Sequence, residues 1–332
     1  MFPELASARH CSAALLFVST VCLSGCASSS RVDDLSLFDR RPIVTDVSDW
    51  EAYGLRGRAI QTQHFVLYST LQDTVLEKAI PGFLENLYSR FHRLLPHEEP
   101  AWQDSLSIYV FANKAEWLHF VERQFPHRTD LALKIFLGGF AEGRKAVCFY
   151  LSRPSLLATI AHEAFHTYTH AVLDENLPTW LSEGMACYYE SALPNGDHIV
   201  HDPEHNTVRR NILCESVQLG RTTSVATLVN ATPAEYIDAE NPLQAVTYYG
   251  QVWALVSYLR DAGPTSIQAG FKELVNDLVA GQFRSRVSGV ALTDSDVAAL
   301  PFGEQVLVAY FGKRAEDFEV EYKDYLLDVC GF

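Results

Sequence analysis

His162-Glu163-Ala164-Phe165-His166 sets two imidazoles and a carboxylate within five consecutive residues. Residues at i and i+4 share one helix face, so His162 and His166 can turn their rings toward a single ion. Neutral imidazole is a good zinc ligand, and three protein ligands leave one position for water. Glu163 lies on the adjacent face, where its carboxylate can take a proton from that water. Glu183 follows His166 by 17 positions, within Trp180-Leu181-Ser182-Glu183-Gly184-Met185-Ala186, and is the candidate third ligand. The chemistry that these residue types support is zinc-assisted hydrolysis.

Other donors compete for the third position. A helix rises 1.5 Å per residue, so His162 and His170 would be about 12 Å apart along the axis. Zn–N bonds of about 2.0–2.1 Å exclude both from one ion together with His166. Asp174 stands at or past the helix end, shortly before Pro178. Leu177-Pro178 turns the chain, Thr179 can cap, and Trp180 to Glu190 reads as a second helix returning beside the first. Glu183 then sits in its first turn, where the helix dipole also favours a carboxylate. Glu190, two turns on, is the fallback ligand. Asp174, Glu190 and Asp197 are all candidates to accept the second N–H of a ligating histidine. His198, His201 and His205, with Asp202 and Glu204, follow Pro194-Asn195-Gly196-Asp197 and read as a polar loop rather than a second metal cluster.

His-Glu-x-x-His followed by Trp-Leu-Ser-Glu-Gly-Met-Ala resembles the gluzincin metallopeptidases, and most closely the small bacterial peptidase MA-like proteins. The resemblance covers mainly residues 60–332 and is strongest from about 159 to 190. It implies one zinc held by His162, His166 and Glu183, with Glu163 as general base and peptide or protein as substrate. Trp180-Leu181-Ser182-Glu183-Gly184 is also similar to the Trp-Leu-Asn-Glu-Gly of the M1 aminopeptidases. The spacing to Glu183 is shorter than theirs, and no Gly-x-Met-Glu-Asn segment lies upstream, so aminopeptidase activity is not implied. Thr247-Tyr248-Tyr249-Gly250-Gln251-Val252-Trp253 resembles the tyrosine-bearing helix of the peptidase MA-like proteins. Either tyrosine could donate to the oxyanion of a tetrahedral intermediate; Tyr248 is favoured over Tyr249. The competing readings are a zinc hydrolase for another amide, such as a cell-wall component, and a catalytically silent zinc-containing envelope lipoprotein that binds peptide or a protein partner. A pure binder would not need Glu163.

The elements that must position these groups alternate between strand and helix. His64 to Ser69, Ser105 to Phe111 and Ala146 to Leu151 have strand patterning, with helices expected over Thr74 to Leu95 and Lys114 to Gln124. Gly138-Gly139-Phe140 can turn the chain into an active-site edge strand. From Glu235 onward the pattern is helical: Gln244 to Asp261, Ser266 to Ala280, and Phe302 to Val329 broken near Gly312. The expected fold is α+β and zincin-like, a mixed-sheet N-terminal lobe with an active-site helix and a helical C-terminal lobe. The boundaries expected are 58–200 for the first lobe and 201–332 for the second, after a tether and linker over 26–57.

Residues 1–25 read as a signal peptide. The apolar run from Cys11 to Leu23 is shorter than the about 20 residues that a membrane span needs. Leu23-Ser24-Gly25-Cys26 resembles the bacterial lipobox, which implies lipid on Cys26. With no Asp after Cys26, it implies a place in the cell envelope at the outer membrane, facing the periplasm. Of seven cysteines, Cys148, Cys187, Cys214 and Cys330 remain to form up to two disulfides in an oxidising compartment. The net charge is −15, and losing residues 1–25 removes one acid (Glu4) and one base (Arg9), leaving it unchanged. Such a charge excludes nucleic acid as a partner.

Overall fold

The fold is known from a computed structural model, which describes residues 43–97, 105–135, 138–195, 198–236 and 242–332. The signal, Cys26, the tether up to residue 42 and Asp197 lie outside the described residues. A sheet is built from β1 (Asp46–Ala52), β2 (Leu55–Gln61), β3 (Phe65–Ser69), β4 (Leu106–Phe111), β5 (Gly139–Glu142) and β6 (Lys145–Phe149). Their order is β1-β2-β3-β4-β6-β5. β3, β4 and β6 run parallel, and β1, β2 and β5 are antiparallel to their neighbours, so the sheet is mixed. β5 pairs with β6 alone and forms one edge.

The pleat sends alternate side chains to opposite faces. Leu106, Ile108, Val110, Ala146 and Cys148 enter the larger core, while Phe111, Val147 and Phe149 enter a smaller one. The smaller core is closed by α2 (Lys114–Gln124), whose Trp117 donates to the Val147 carbonyl at 3.0 Å, and by Ala132 of α3 (Thr129–Lys134). The larger core is closed by α1 (Thr74–Leu94) and α4 (Arg153–Val172). One aspartate fixes both helix starts. Asp73 caps α1 by accepting from Val75 and Leu76 N–H at 3.1 and 3.2 Å, and takes the Arg153 guanidinium from the start of α4 at 2.7 and 3.0 Å. Paired with Arg153, its carboxyl stays below its ordinary pKa.

Beyond α4 come α5 (Thr179–Tyr188), the hairpin β7 (Ala192–Asn195) and β8 (His198–His201), and then helices throughout. These are α6 (Thr207–Gln218), α7 (Val225–Asn230), α8 (Pro233–Tyr236), α9 (Pro242–Ser257), α10 (Thr265–Val279), α11 (Phe283–Thr293), α12 (Ser295–Ala298), α13 (Phe302–Phe311) and α14 (Ala315–Cys330). The molecule is therefore α+β, with a mixed six-stranded sheet in the N-terminal region and a mostly helical C-terminal part. Gly312, at φ 63°, ends α13 in the left-handed region that glycine tolerates. None of the described helices is long and apolar enough to cross a membrane.

The sheet begins earlier than expected: β1 and part of β2 fall in the stretch read as linker. Most of β1 is exposed, so it lacks the apolar alternation that would announce it. Its hairpin turns at Tyr53-Gly54, both with positive φ (54° and 82°), the pattern of a type I′ turn.

Cys214 of α6 and Cys330 of α14 form a disulfide across a sequence separation of 116, while Cys148 and Cys187 are free and buried. Cross-linking so long a loop restricts the unfolded chain. Cys214→Ser is expected to cost about 2–5 kcal/mol of stability, read as a lower urea midpoint than wild type. An unchanged midpoint would mean that the bridge adds no constraint.

Candidate metal centre

α4 is the helix that carries the His-Glu-x-x-His residues. Ser152 caps it by accepting from Ser155 N–H at 3.3 Å, and Pro154 falls in its first turn, where no N–H is needed. Ile160 to Phe165 are all buried, so this part of the helix is held in the core. α5 comes back beside it after Pro178, packed on α9. That packing requires glycine at position 184: a Cβ there would lie 2.5 Å from the Val252 carbonyl oxygen. The residue next to Glu183 therefore sets how closely α5 approaches α9.

Three donor atoms converge where these helices meet. His162 Nε2 lies 3.2 Å from His166 Nε2 and 3.1 Å from Glu183 Oε2, and the last pair is 3.5 Å apart. Ligands on a tetrahedral zinc at about 2.0–2.2 Å are about 3.3–3.5 Å from one another, so the spacing suits one ion. The proton inventory agrees. His162 Nδ1 is 2.8 Å from Glu190 Oε1, and a carboxylate only accepts, so Nδ1 carries a hydrogen and Nε2 is the nitrogen turned toward the other donors. His166 Nδ1 is 3.2 Å from Ser182 Oγ, leaving Nε2 for the same point. With both imidazoles neutral, two nitrogen lone pairs and a carboxylate would face one another, an arrangement that calls for a cation. Burial raises the Glu183 carboxyl, but the two imidazoles outweigh it and hold the group well below the usual carboxylate range. Burial alone would lower His162, yet contacts with Cys187, Glu183 and Glu190 raise it well above its ordinary value. Both shifts say that positive charge is favoured at this point.

Glu163 faces the same cleft, buried and without a hydrogen bond to another described residue. Burial pushes its carboxyl pKa up, toward the range in which a carboxylate can both take and release a proton. The cleft has a volume of about 520 Å³. Gly139, Phe140 and Ala141 of β5 line it, together with Thr169, His170, Pro233 and Tyr249.

Other candidates are placed differently. Glu190 is bound on both oxygens by Arg209 at 2.6 and 2.7 Å, so it buttresses His162 and is not free to serve as third ligand. Burial would raise it, but Arg209 and His162 bring it down to about 2. Asp174 is exposed beyond α4. Tyr249, not Tyr248, forms the cleft wall, its ring 5.9 Å from that of His162. Tyr248 is stacked on Tyr236 at 5.0 Å, and its buried hydroxyl has no partner among the described residues. His201 belongs to β8 and meets the Tyr189 carbonyl at 2.7 Å, while His205 meets Asp202 at 2.9 Å. Neither joins a metal-holding group among the described residues. Arg209 is the participant that sequence reasoning missed. It lies in the stretch between Pro194 and Pro242, where no motif marks a charged residue as buried.

Residues 156–276 match a family model described as "Protein of unknown function (DUF1570)". They carry a DUF1570 domain. The DUF1570 segment runs from within α4 to within α10 and includes His162, Glu163, His166, Glu183, Glu190, Arg209 and both tyrosines. It leaves out the whole sheet, β5 included. No curated protein matches the chain.

Proposed function

We propose that this chain is a zinc-dependent peptidase of gluzincin type, acting in the cell envelope and anchored by lipid on Cys26. The observation that carries the reading is the convergence of His162, His166 and Glu183 donor atoms within 3.1–3.5 Å, beside a buried Glu163 that has no hydrogen bond to another described residue and faces the cleft. The lipobox-like Leu23-Ser24-Gly25-Cys26 supports the anchor.

When bound, zinc supplies Lewis-acid polarisation of a carbonyl and lowers the pKa of water. The protein's own groups do the rest. An extended peptide can pair with the free edge of β5 through main-chain hydrogen bonds, which asks little of its side chains. Glu163 takes a proton from water as it attacks the scissile carbonyl, then passes that proton to the departing amine. The Tyr249 hydroxyl, which has no partner among the described residues, donates to the oxyanion that develops.

The test is incubation of zinc-replete protein with a mixed peptide library, reading cleavage by mass spectrometry with and without chelator. Cleavage that chelation stops supports the reading. No cleavage by protein holding one zinc per chain would refute a peptidase and leave the peptide-binding lipoprotein. The tyrosines are separable in the same assay. Tyr249→Phe is expected to slow turnover by about 10²-fold, as for loss of one oxyanion donor. Tyr248→Phe is expected to leave it unchanged, since that hydroxyl loses no bond. The opposite ranking would return the role to Tyr248.

A further inference from the structure

Glu190 gives each oxygen to the Arg209 fork, Oε2 to Nε at 2.6 Å and Oε1 to Nη2 at 2.7 Å, while Oε1 also receives the His162 Nδ1–H at 2.8 Å. The carboxylate cannot rotate without breaking charge-assisted bonds on both sides. Glu190 is buried at 8% exposure and Arg209 is mostly covered at 16%, so water has little access to the pair. Arg209 also lies over the Tyr249 ring, 5.2 Å from its centroid. One guanidinium thus touches the supports of two separate walls of the cleft. Its own place is fixed from α5: Asn206 caps α6 by accepting from Arg209 N–H at 3.1 Å and donates to the Cys187 carbonyl at 3.0 Å.

We propose that Arg209 is a positioning residue for the metal centre, acting through Glu190 to set the ring orientation and tautomer of His162 and packing against Tyr249. It touches none of the three donor atoms. Breaking a buried ion pair that served the fold alone would lower stability, without altering how tightly the folded protein holds a cation. The inference rests on the zinc reading above, and the two can fail separately.

The experiment is zinc affinity of the full chain by competition with a chromophoric chelator, with melting temperatures recorded alongside. Arg209→Met and Glu190→Gln are each expected to weaken zinc binding about 10–100-fold, as when an outer hydrogen-bond partner is lost. Arg209→Lys, which keeps the charge but loses the fork, is expected to recover part of the loss. The double variant Arg209→Met/Glu190→Gln is expected to bind no more weakly than the worse single one, because both changes break the same chain of bonds. Losses that multiply in the double variant, or Arg209→Met within twofold of wild type, overturn the inference. If Arg209→Met does not fold, Arg209→Lys decides: an unchanged affinity overturns it. A wild type that takes up no zinc overturns the zinc reading and this inference together. A wild type that binds zinc beside an unaffected Arg209 variant overturns this inference alone.

Discussion

In Glu163→Gln, peptide hydrolysis is expected to fall by about 10²–10⁴-fold, the usual worth of a positioned general base, while zinc stays bound. The substitution keeps the shape and removes only the ability to accept a proton. Glu163 makes no hydrogen bond to another described residue and contributes none of the three converging donor atoms, so neither the packing of α4 nor the metal donor set should change. The measurement is steady-state cleavage of the best library peptide, beside metal content by mass spectrometry. Undiminished turnover would remove Glu163 from the chemistry and direct attention to another proton acceptor.

Glu183→Ala carries the second large effect. Two imidazoles remain, without the carboxylate oxygen that faces both of them at 3.1 and 3.5 Å. The expected loss in zinc affinity exceeds the roughly 100-fold typical of losing an outer partner, so dialysed protein should hold well under one zinc per chain. Glu190 cannot take over, because Arg209 and His162 Nδ1 occupy it. One zinc retained per chain would strike Glu183 from the donor set.

Much of this was legible in the residue pattern, for local reasons. The i, i+4 histidines and the turn at Leu177-Pro178 fix geometry over a few residues, and α4 and α5 formed where that pattern indicated them. The strand of alternating apolar residues at Phe65–Ser69 and the amphipathic α1 were legible for the same reason. What escaped depends on partners distant in sequence. β1 is mostly exposed and carries no apolar alternation, so only its pairing with β2 reveals it as a strand. Tyr248 and Tyr249 are adjacent, and only the packing of α9 on α5 decides which hydroxyl meets the cleft. The bidentate clasp of Arg209 on Glu190 joins the end of α5 to α6 across a hairpin, and no spacing rule marks it. The pairing of Cys214 with Cys330 joins two helices that only the completed fold brings together.

That bridge also bears on timing. α6, the helix that carries Arg209, is clasped at its far end by a residue made 116 positions later than Cys214. During synthesis, the three donors and their buttress at Glu190 all emerge before the covalent tie between α6 and α14 can form. A chain stopped short of Cys330 would own every reactive group yet hold them on an untethered scaffold. On the proposed reading, any hydrolytic power would mature last, once both thiols have met an oxidant.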